Sequence, residues 1–252
     1  MKDYPRYITP GYAPFDPLEL AVITESVVSC GTSRKYTKFS KVGAYGGIST
    51  GFTVGCCLRC VYCWVDWSRD FPEAHGKLYT PQQVFQILVQ KARTKKVNQL
   101  RISGGEPTLC KDHLLGVLEL VTDTKYLFVL ETNGILLGHD PECARQLERF
   151  SRTLHVRVSL KAGTAGGFQR RTGALGEFFE LPFRAIRNLL QTKLDFHVAC
   201  MSDPRIMPQE ERRMVISKLT GLGYRGYLEE ELSVPYAKAL IRMEKAGRHP
   251  LT

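Results

Sequence analysis

The sequence predicts an α/β protein in which six strand–helix units form an open, partial (β/α)6 barrel. From about Gly51 onward, short strand-like runs alternate with longer segments of helical periodicity, and this alternation is typical of a mostly parallel sheet. Only six such strands are found, whereas a closed eight-stranded barrel of this type takes about 250 residues by itself. The chain has 252 residues, so an open barrel fits better than a closed one.

The predicted strands are apolar runs bounded by polar or turn-forming residues. They cover residues 51–55, 99–103, 126–131, 155–160, 195–200 and 225–228. The helix after the first strand has the clearest start, because Thr-Pro-Gln-Gln at residues 80–83 combines a capping box with proline at the first helical position. Predicted helices cover residues 80–95, 112–122, 141–150, 176–191, 208–219 and 235–246.

Three regions follow from this pattern: an N-terminal extension over residues 1–50, the barrel core over 51–234 and a C-terminal helix over 235–252. The extension is rich in Pro, Tyr and Gly, with one apolar segment at residues 18–28. It also carries a basic stretch made of Arg34, Lys35, Lys38 and Lys41. Two interpretations stay open: the extension covers the site or touches the substrate, or it shields an edge of the sheet.

Composition limits the compartment and the partners. The net charge of +10 and the pI of about 9.2 favour acidic partners, although dispersed basic residues also serve solubility alone. We find no stretch of signal-peptide or membrane-span type, so the sequence predicts a cytoplasmic protein without membrane contact. Eight cysteines in a reducing compartment point to metal or redox chemistry rather than disulfides.

Four of the eight cysteines lie within residues 56–63, directly after the first strand. Cys56, Cys60 and Cys63 have the spacing C-x3-C-x2-C, and Cys57 falls outside it. Thiolates bind iron–sulfur clusters, and three of them leave one iron of a 4Fe–4S cluster open for chemistry. A zinc site normally pairs two C-x2-C units, and the sequence holds no second pair. Three buried structural cysteines at this spacing are the remaining alternative.

With Tyr62, the motif becomes C-x3-C-x-aromatic-C, which resembles the signature of the radical S-adenosylmethionine (radical SAM) superfamily. The segment Ser-Gly-Gly-Glu-Pro at residues 103–107 follows the second strand and matches the superfamily's GGEP motif. The resemblance implies a 4Fe–4S cluster whose open iron is chelated by the methionyl amine and carboxylate of S-adenosylmethionine. It also implies reductive cleavage of this cofactor to a 5′-deoxyadenosyl radical, which abstracts a hydrogen atom from a substrate.

Later motifs are similar to one branch of the superfamily, the small glycyl-radical-enzyme activases. These motifs are Glu-Thr-Asn-Gly at 131–134, Val-Ser-Leu-Lys at 158–161 and Arg-Thr-Gly-Ala at 171–174. Strand alternation places Arg157, Ser159 and Lys161 on one face, predicted to be the barrel interior. Lys161 then meets the cofactor carboxylate or a substrate charge, while His197 points at the nucleoside or is a core histidine.

The resemblance thus implies a set of cofactor-binding residues beside the three cysteine ligands. In the GGEP motif the backbone and the carboxylate bind the methionyl amine. The predicted set is Tyr62, Gly104, Gly105, Glu106, Thr132, Ser159, Lys161 and His197.

The sequence departs from the activases at one strand end. Ser159 stands where they carry an aspartate, which removes a carboxylate from the predicted floor of the site. The chain also has no cysteine-rich, ferredoxin-like insertion. The resemblance spans about residues 51–228.

The first choice of substrate is a polypeptide, by analogy with the activases, and an RNA or nucleotide is the alternative. An electron carrier or sensor without turnover is a third hypothesis, which the GGEP motif disfavours. The resemblance implies an activating-enzyme-like oxidoreductase that takes electrons from a donor such as flavodoxin or ferredoxin. Two weaker features stay open: Trp64, Trp67 and Arg69 line the opening or pack, and Arg170 and Arg171 bind phosphate or form a solvated face.

Overall fold

The computed structural model describes residues 4–247, and one sheet organises them. Residues 1–3 of the predicted extension and 248–252 of the predicted C-terminal region lie outside the described part. The strands in it are β1 (Ser29–Cys30), β2 (Ser33–Val42), β3 (Ile48–Thr53), β4 (Lys77–Tyr79), β5 (Gln99–Gly104), β6 (Leu127–Thr132), β7 (Leu154–Leu160), β8 (Asp195–Met201) and β9 (Leu228–Glu231).

The helices cover both the predicted positions and three others. They are α1 (Pro17–Val28), α2 (Pro81–Thr94), α3 (Lys111–Thr122), α4 (Ile135–His139), α5 (Pro141–Glu148), α6 (Ala165–Thr172), α7 (Leu181–Leu190), α8 (Gln209–Gly221) and α9 (Ala237–Lys245). Both α4 and α6 lie in segments for which the sequence predicted no helix. No helix within residues 4–247 is long and apolar enough to cross a membrane.

The sheet runs in the order β1-β2-β3-β5-β6-β7-β8-β9, with β4 paired to β2. From β3 to β9 along this path, all neighbouring strands are parallel. The two ends of the path do not pair, so the barrel is open and contains six parallel strands, as the alternation predicted. The sixth strand lies later in the chain than predicted, and this shift matters for the site.

Part of the N-terminal region joins the sheet. β2 is ten residues long and pairs antiparallel with β3, so it covers what would otherwise be the exposed edge of the parallel strands. The sequence did not predict this strand because its mixed polar pattern lacks clean alternation.

Helix α2 begins where its capping box predicts. The Thr80 hydroxyl accepts from the Gln83 backbone N–H at 3.3 Å, and the Gln83 side chain accepts from the Thr80 N–H at 2.9 Å. Val84, Leu88 and Ala92 follow at four-residue spacing and are fully buried. This face packs α2 onto the sheet.

Arg171 neither binds phosphate nor faces solvent. It is buried, and both its terminal nitrogens donate to the two carboxylate oxygens of Glu211 in α8, each at 2.6 Å. Glu211 also accepts from the Gly163 N–H at 2.9 Å. A buried charge needs such a partner, and a partner 40 residues away cannot be read from the local sequence.

Candidate active site

A cavity of about 1030 Å³ opens at the carboxyl ends of the parallel strands. This is where α/β barrels place their chemistry, because the strand-end loops converge there. The structure brings the whole predicted set to the wall of this cavity: Cys56, Cys60, Tyr62, Cys63, Gly104, Gly105, Glu106, Thr132, Ser159, Lys161 and His197. The binding roles assigned to these residues stay predictions.

The cysteine loop separates one cysteine from the other three. Cys56, Cys60 and Cys63 line the cavity, whereas Cys57 is fully buried beside the Asn133 amide, which donates to its sulfur at 3.3 Å. A hydrogen bond with Cys57 lowers the pKa of Cys56. Burial raises the pKa of Cys60 to about 12.

Each of the three cavity cysteines has its backbone carbonyl bound by a buried arginine. Arg59 donates to the Cys56 oxygen at 2.7 Å, Arg69 to the Cys60 oxygen at 2.7 Å, and Arg242 to the Cys63 oxygen at 2.6 Å. The guanidinium planes therefore fix the loop backbone at all three cysteines.

Two of these arginines share one carboxylate. Asp70 is fully buried and forms ion pairs with both Arg69 and Arg242. Arg242 comes from α9, so the C-terminal helix is tied to the cysteine loop. Arg69 is buried among the loop residues and does not line the cavity, which agrees with the packing interpretation.

The two tryptophans after the loop differ. Trp64 lines the cavity and is half-exposed. Trp67 lies under the cations of Lys238 and Arg242, at 4.2 and 5.4 Å from the ring centroid, and packs edge-on against Tyr7.

The GGEP loop needs its glycines for close packing. Gly104 has φ +91°, and a Cβ on Gly105 would lie 2.0 Å from the Gly55 carbonyl oxygen. The Glu106 carboxylate is only 3% exposed. It accepts from the hydroxyls of Thr108 at 2.8 Å and Thr132 at 2.7 Å.

The Glu106 carboxylate also accepts from the Asn133 backbone N–H at 2.8 Å. It thus ties the β5 loop to the end of β6, a role that the sequence did not reveal. Its predicted pairing with the methionyl amine stays a prediction. Any such amine would join an acceptor that already holds several donors.

The predicted interior face of β7 is correct. Arg157, Ser159 and Lys161 all face the cavity, and the Lys161 ammonium donates to the Ser159 hydroxyl at 2.6 Å. The Ser159 hydroxyl donates to the Glu231 carboxylate at 2.6 Å. Arg157 donates to the same carboxylate at 2.9 Å. Glu231 on β9 therefore supplies, from another strand, a carboxylate beside Ser159.

Two cavity carboxylates on β9 were missed because the sixth strand was predicted to end at Leu228. Glu229 accepts from Arg157 at 2.7 Å, and Glu231 lies two residues further on the same face. The sequence pattern that could have revealed them is the two-residue spacing of Glu229 and Glu231, which aligns side chains on one face of a strand.

Glu131 is a third carboxylate without a predicted role. It accepts from Arg101 and Tyr45, both at 2.7 Å, and from the Ser103 hydroxyl at 3.1 Å. Desolvation and Glu131 itself raise the pKa of Tyr45, so the phenol stays protonated and donates. The cavity wall as a whole is balanced, with four cations (Lys38, Arg101, Arg157 and Lys161) and four carboxylates (Glu106, Glu131, Glu229 and Glu231).

The mouth of the cavity is apolar. Six large side chains that line it are 36–70% exposed, and we call them the apolar rim: Tyr45, Trp64, Tyr227, Leu232, Val234 and Tyr236. Clustered exposed apolar side chains mark a surface that meets another molecule.

The donor set fits a 4Fe–4S cluster and S-adenosylmethionine. Three thiols from one short loop face the cavity, and thiolates are the usual ligands of such clusters. Tyr62 and Ser233 line the cavity, while their hydroxyls are buried and have no hydrogen-bond partner among the described residues.

A sequence model of the radical SAM superfamily matches residues 50–213, and the chain belongs to this superfamily. The family uses a 4Fe–4S cluster and S-adenosylmethionine. The matched segment covers the cysteine loop, the GGEP loop and the strands from β5 to β8.

Curated relatives match over part of their length. A probable GTP 3′,8-cyclase of Methanococcus vannielii is 32% identical over 121 residues, which are 48% of this chain and 38% of the relative. A putative glycyl-radical enzyme activating enzyme of Methanocaldococcus jannaschii is 31% identical over 88 residues, 35% of this chain and 32% of the relative. The chain thus matches about a third of each relative's length.

Solved structures support the fold. Streptococcus suis SuiB, bound to its precursor peptide SuiA, superposes with a TM-score of 0.56 at 16% identity. The superposition covers 70% of this chain and 36% of SuiB.

Replacing Asp70 by asparagine should destabilise the protein by about 3–5 kcal/mol, because it leaves two buried guanidinium charges without their counter-ion. Urea unfolding of the apoprotein measures this change. The control is Glu119→Gln, which breaks an exposed pair with Arg149 and should cost less than about 1 kcal/mol. Equal losses in the two variants would show that the Asp70 cluster contributes no special stability.

The apoprotein should lose stability in acid partly through Glu231. Burial opposes ionisation of this carboxylate, but Lys161, Arg157 and the Ser159 hydroxyl outweigh it and lower the pKa to about 2. The folded pKa lies below the unfolded one, so this stabilisation is present above about pH 4.3 and is lost as the pH falls towards 2.

Unfolding free energies measured between pH 5 and 2 test this. Glu231→Gln should flatten the slope, while Glu244→Gln, an exposed change in α9, should keep it. A wild-type slope in Glu231→Gln would contradict the assignment.

Proposed function

We propose that this chain is a radical SAM enzyme that holds its 4Fe–4S cluster through Cys56, Cys60 and Cys63 and abstracts a hydrogen atom from a polypeptide. One observation supports the assignment of the three cysteines as cluster ligands. Of the four clustered cysteines, the three at C-x3-C-x2-C spacing face the cavity and Cys57 does not. When bound, the cluster and S-adenosylmethionine supply a 5′-deoxyadenosyl radical through one-electron cleavage of the sulfonium.

The residues around the cluster loop orient the cofactor. Gly104 and Gly105 line the cavity without side chains, so their backbone can approach the methionyl group closely. Tyr62 lines the cavity beside the cysteines, and Lys161 offers a cation for the cofactor carboxylate. Thr132 holds Glu106 in place, and Ser159 holds Lys161.

The second half of the proposal concerns the substrate. A nucleoside triphosphate or an RNA is recognised by a surplus of positive charge. Every arginine in this cavity wall already donates to a carboxylate there, so its charge is neutralised. Around that balanced wall lies the apolar rim, with three tyrosines and one tryptophan. Aromatic anchors around a polar centre are typical of surfaces that bind polypeptides.

The basic stretch of the N-terminal region offers little to an RNA. Arg34 is 1% exposed, and its guanidinium donates to the carbonyls of Pro107 at 2.6 Å and Glu106 at 2.7 Å. The Lys35 ammonium donates to the Pro72 carbonyl at 3.1 Å. Lys38 lies over the Phe52 ring at the cavity wall. Only part of the stretch is therefore available to phosphates.

A nucleotide substrate is the second candidate, favoured by the GTP 3′,8-cyclase relatives. An electron carrier or sensor is disfavoured, since neither needs a cavity of about 1030 Å³ next to its cluster. The electron donor that we propose is a flavodoxin or a ferredoxin, and we propose that the enzyme works in the cytoplasm without membrane contact.

The cysteine assignment predicts the iron content. After anaerobic reconstitution, the wild type should hold about four irons per chain, and the triple Cys56→Ala, Cys60→Ala, Cys63→Ala variant should hold almost none. Cys57→Ala is the matched control and should keep its iron and its visible absorption. Full iron content in the triple variant would move the cluster elsewhere.

The substrate class predicts which cellular fraction stimulates 5′-deoxyadenosine formation. A protein fraction from the source cells should stimulate it, and protease but not ribonuclease should remove the effect. Leu232→Ser in the apolar rim should weaken the stimulation about tenfold, as loss of one anchor costs about 1.4 kcal/mol. The control Val22→Ser changes an exposed apolar residue that does not line the cavity and should have no effect.

Stimulation by GTP or by RNA, with none from protein, would favour the nucleotide candidate. Such stimulation should also fall steeply with salt if phosphates are bound, by about 0.7 log units per phosphate for each tenfold rise.

A further inference from the structure

Two histidines, His155 and His197, form a hydrogen-bonded pair on the interior face of the sheet, and His197 lines the cavity. His155 is on β7 and His197 on β8, with 4.9 Å between the ring centroids and 28° between the ring planes. His155 Nε2 lies 2.6 Å from His197 Nδ1. The nitrogen–nitrogen distance is that of a hydrogen bond between the two rings.

A carboxylate closes each end of the pair. Asp195 Oδ2 lies 2.6 Å from His155 Nδ1, and Glu229 Oε2 lies 3.0 Å from His197 Nε2. All four ring nitrogens are thereby engaged in three successive contacts. Asp195 is mostly exposed, whereas Glu229 lines the cavity, so the row connects solvent to the cavity wall.

Counting hydrogens fixes the charge of this row. An ionised carboxylate only accepts, so each of the three contacts needs one hydrogen from a ring nitrogen. Two neutral imidazoles carry two such hydrogens between them. With only two hydrogens, one of the three contacts would bring two lone pairs together, which is repulsive at these distances.

We propose that His155 and His197 together hold one proton more than two neutral rings, and that this shared charge positions Glu229 and Arg157 at the cavity wall. Nothing in the proposed cluster and cofactor chemistry requires this charge, so the inference goes beyond the proposed function. The two rings act as one titrating unit with one positive charge between two carboxylates.

The extra proton belongs to the pair rather than to one ring. Burial, a charge on His155 and Arg157 lower the pKa of His197, although its hydrogen bond to Glu229 opposes them. In the three contacts, Asp195 and Glu229 each accept from a ring nitrogen, and one ring donates to the other. The remaining neighbour is the Tyr227 ring, 5.9 Å from that of His197.

The consequence for the site runs through Glu229. Its carboxylate accepts from both His197 and Arg157, and Arg157 also binds Glu231. Loss of the shared proton would leave two lone pairs facing each other in one of the three contacts. That contact would lengthen, and Glu229 would be held less firmly. The histidines are thus positioning residues, and the arrangement of the cavity wall should depend on pH.

Nitrogen-15 NMR of the histidine-labelled full chain, purified without cofactors, tests the proton count. At pH 7, three of the four ring nitrogens of His155 and His197 should carry hydrogen, with the exposed His139 as an ordinary reference. Asp195→Asn should lower the count to two, because the amide can donate to an unprotonated nitrogen. The control Asp123→Asn, an exposed change in another part of the chain, should leave three. Two hydrogens in the wild type would overturn the proposal.

A second measurement tests the positioning role in the reconstituted enzyme. The alkaline limb of the pH profile of 5′-deoxyadenosine formation should move to lower pH by about one unit in Asp195→Asn, and Asp123→Asn should keep the wild-type profile. An unchanged profile with a count of two in Asp195→Asn would overturn the positioning role. If the chain forms no 5′-deoxyadenosine at all, the proposed function fails, while the NMR count still decides the shared proton.

Discussion

The buried carboxylate of Asp70 is the interaction on which the cysteine loop depends. The loop has almost no regular secondary structure, so its carbonyls need partners from elsewhere. Guanidinium groups provide them at each cavity cysteine, but burying so many cations is unfavourable without a counter-ion. Asp70 neutralises the two that bind Cys60 and Cys63. Arg59 is held differently, by the Pro5 carbonyl and the Tyr4 ring.

This arrangement explains why segments from both ends of the described chain meet at one loop. Residues 4–5 brace Arg59, and α9 delivers Arg242 across 179 positions of sequence. The loop has little regular structure of its own, so these distant contacts help to fix the positions of its three cavity-facing cysteines. The terminal segments therefore belong to the site in a physical sense, although they carry none of its motifs.

The sequence predicted the elements and site residues that have the clearest local patterns. Alternation gave the parallel strands, the spacing of cysteines gave the cavity-facing three, and the period of two placed Lys161 inside. It could not predict pairings between distant residues, such as Arg171 with Glu211 or Glu106 with Thr132. Those depend on which loops the finished sheet brings together. The β9 glutamates were missed for a smaller reason, a strand boundary placed three residues too early.

Ser159 links an anion to a cation in the cavity wall. An aspartate here would lie beside Glu231, and two carboxylates at hydrogen-bond distance repel each other unless they share a proton. A serine instead donates to Glu231 and accepts from Lys161, so one hydroxyl joins the anion to the cation. Glu231 in turn needs Arg157, and Arg157 needs Glu229, which the histidine pair holds. The choice of serine on β7 is therefore coupled to the acidic face of β9, and exchanging either alone would leave an unpaired charge in the cavity wall.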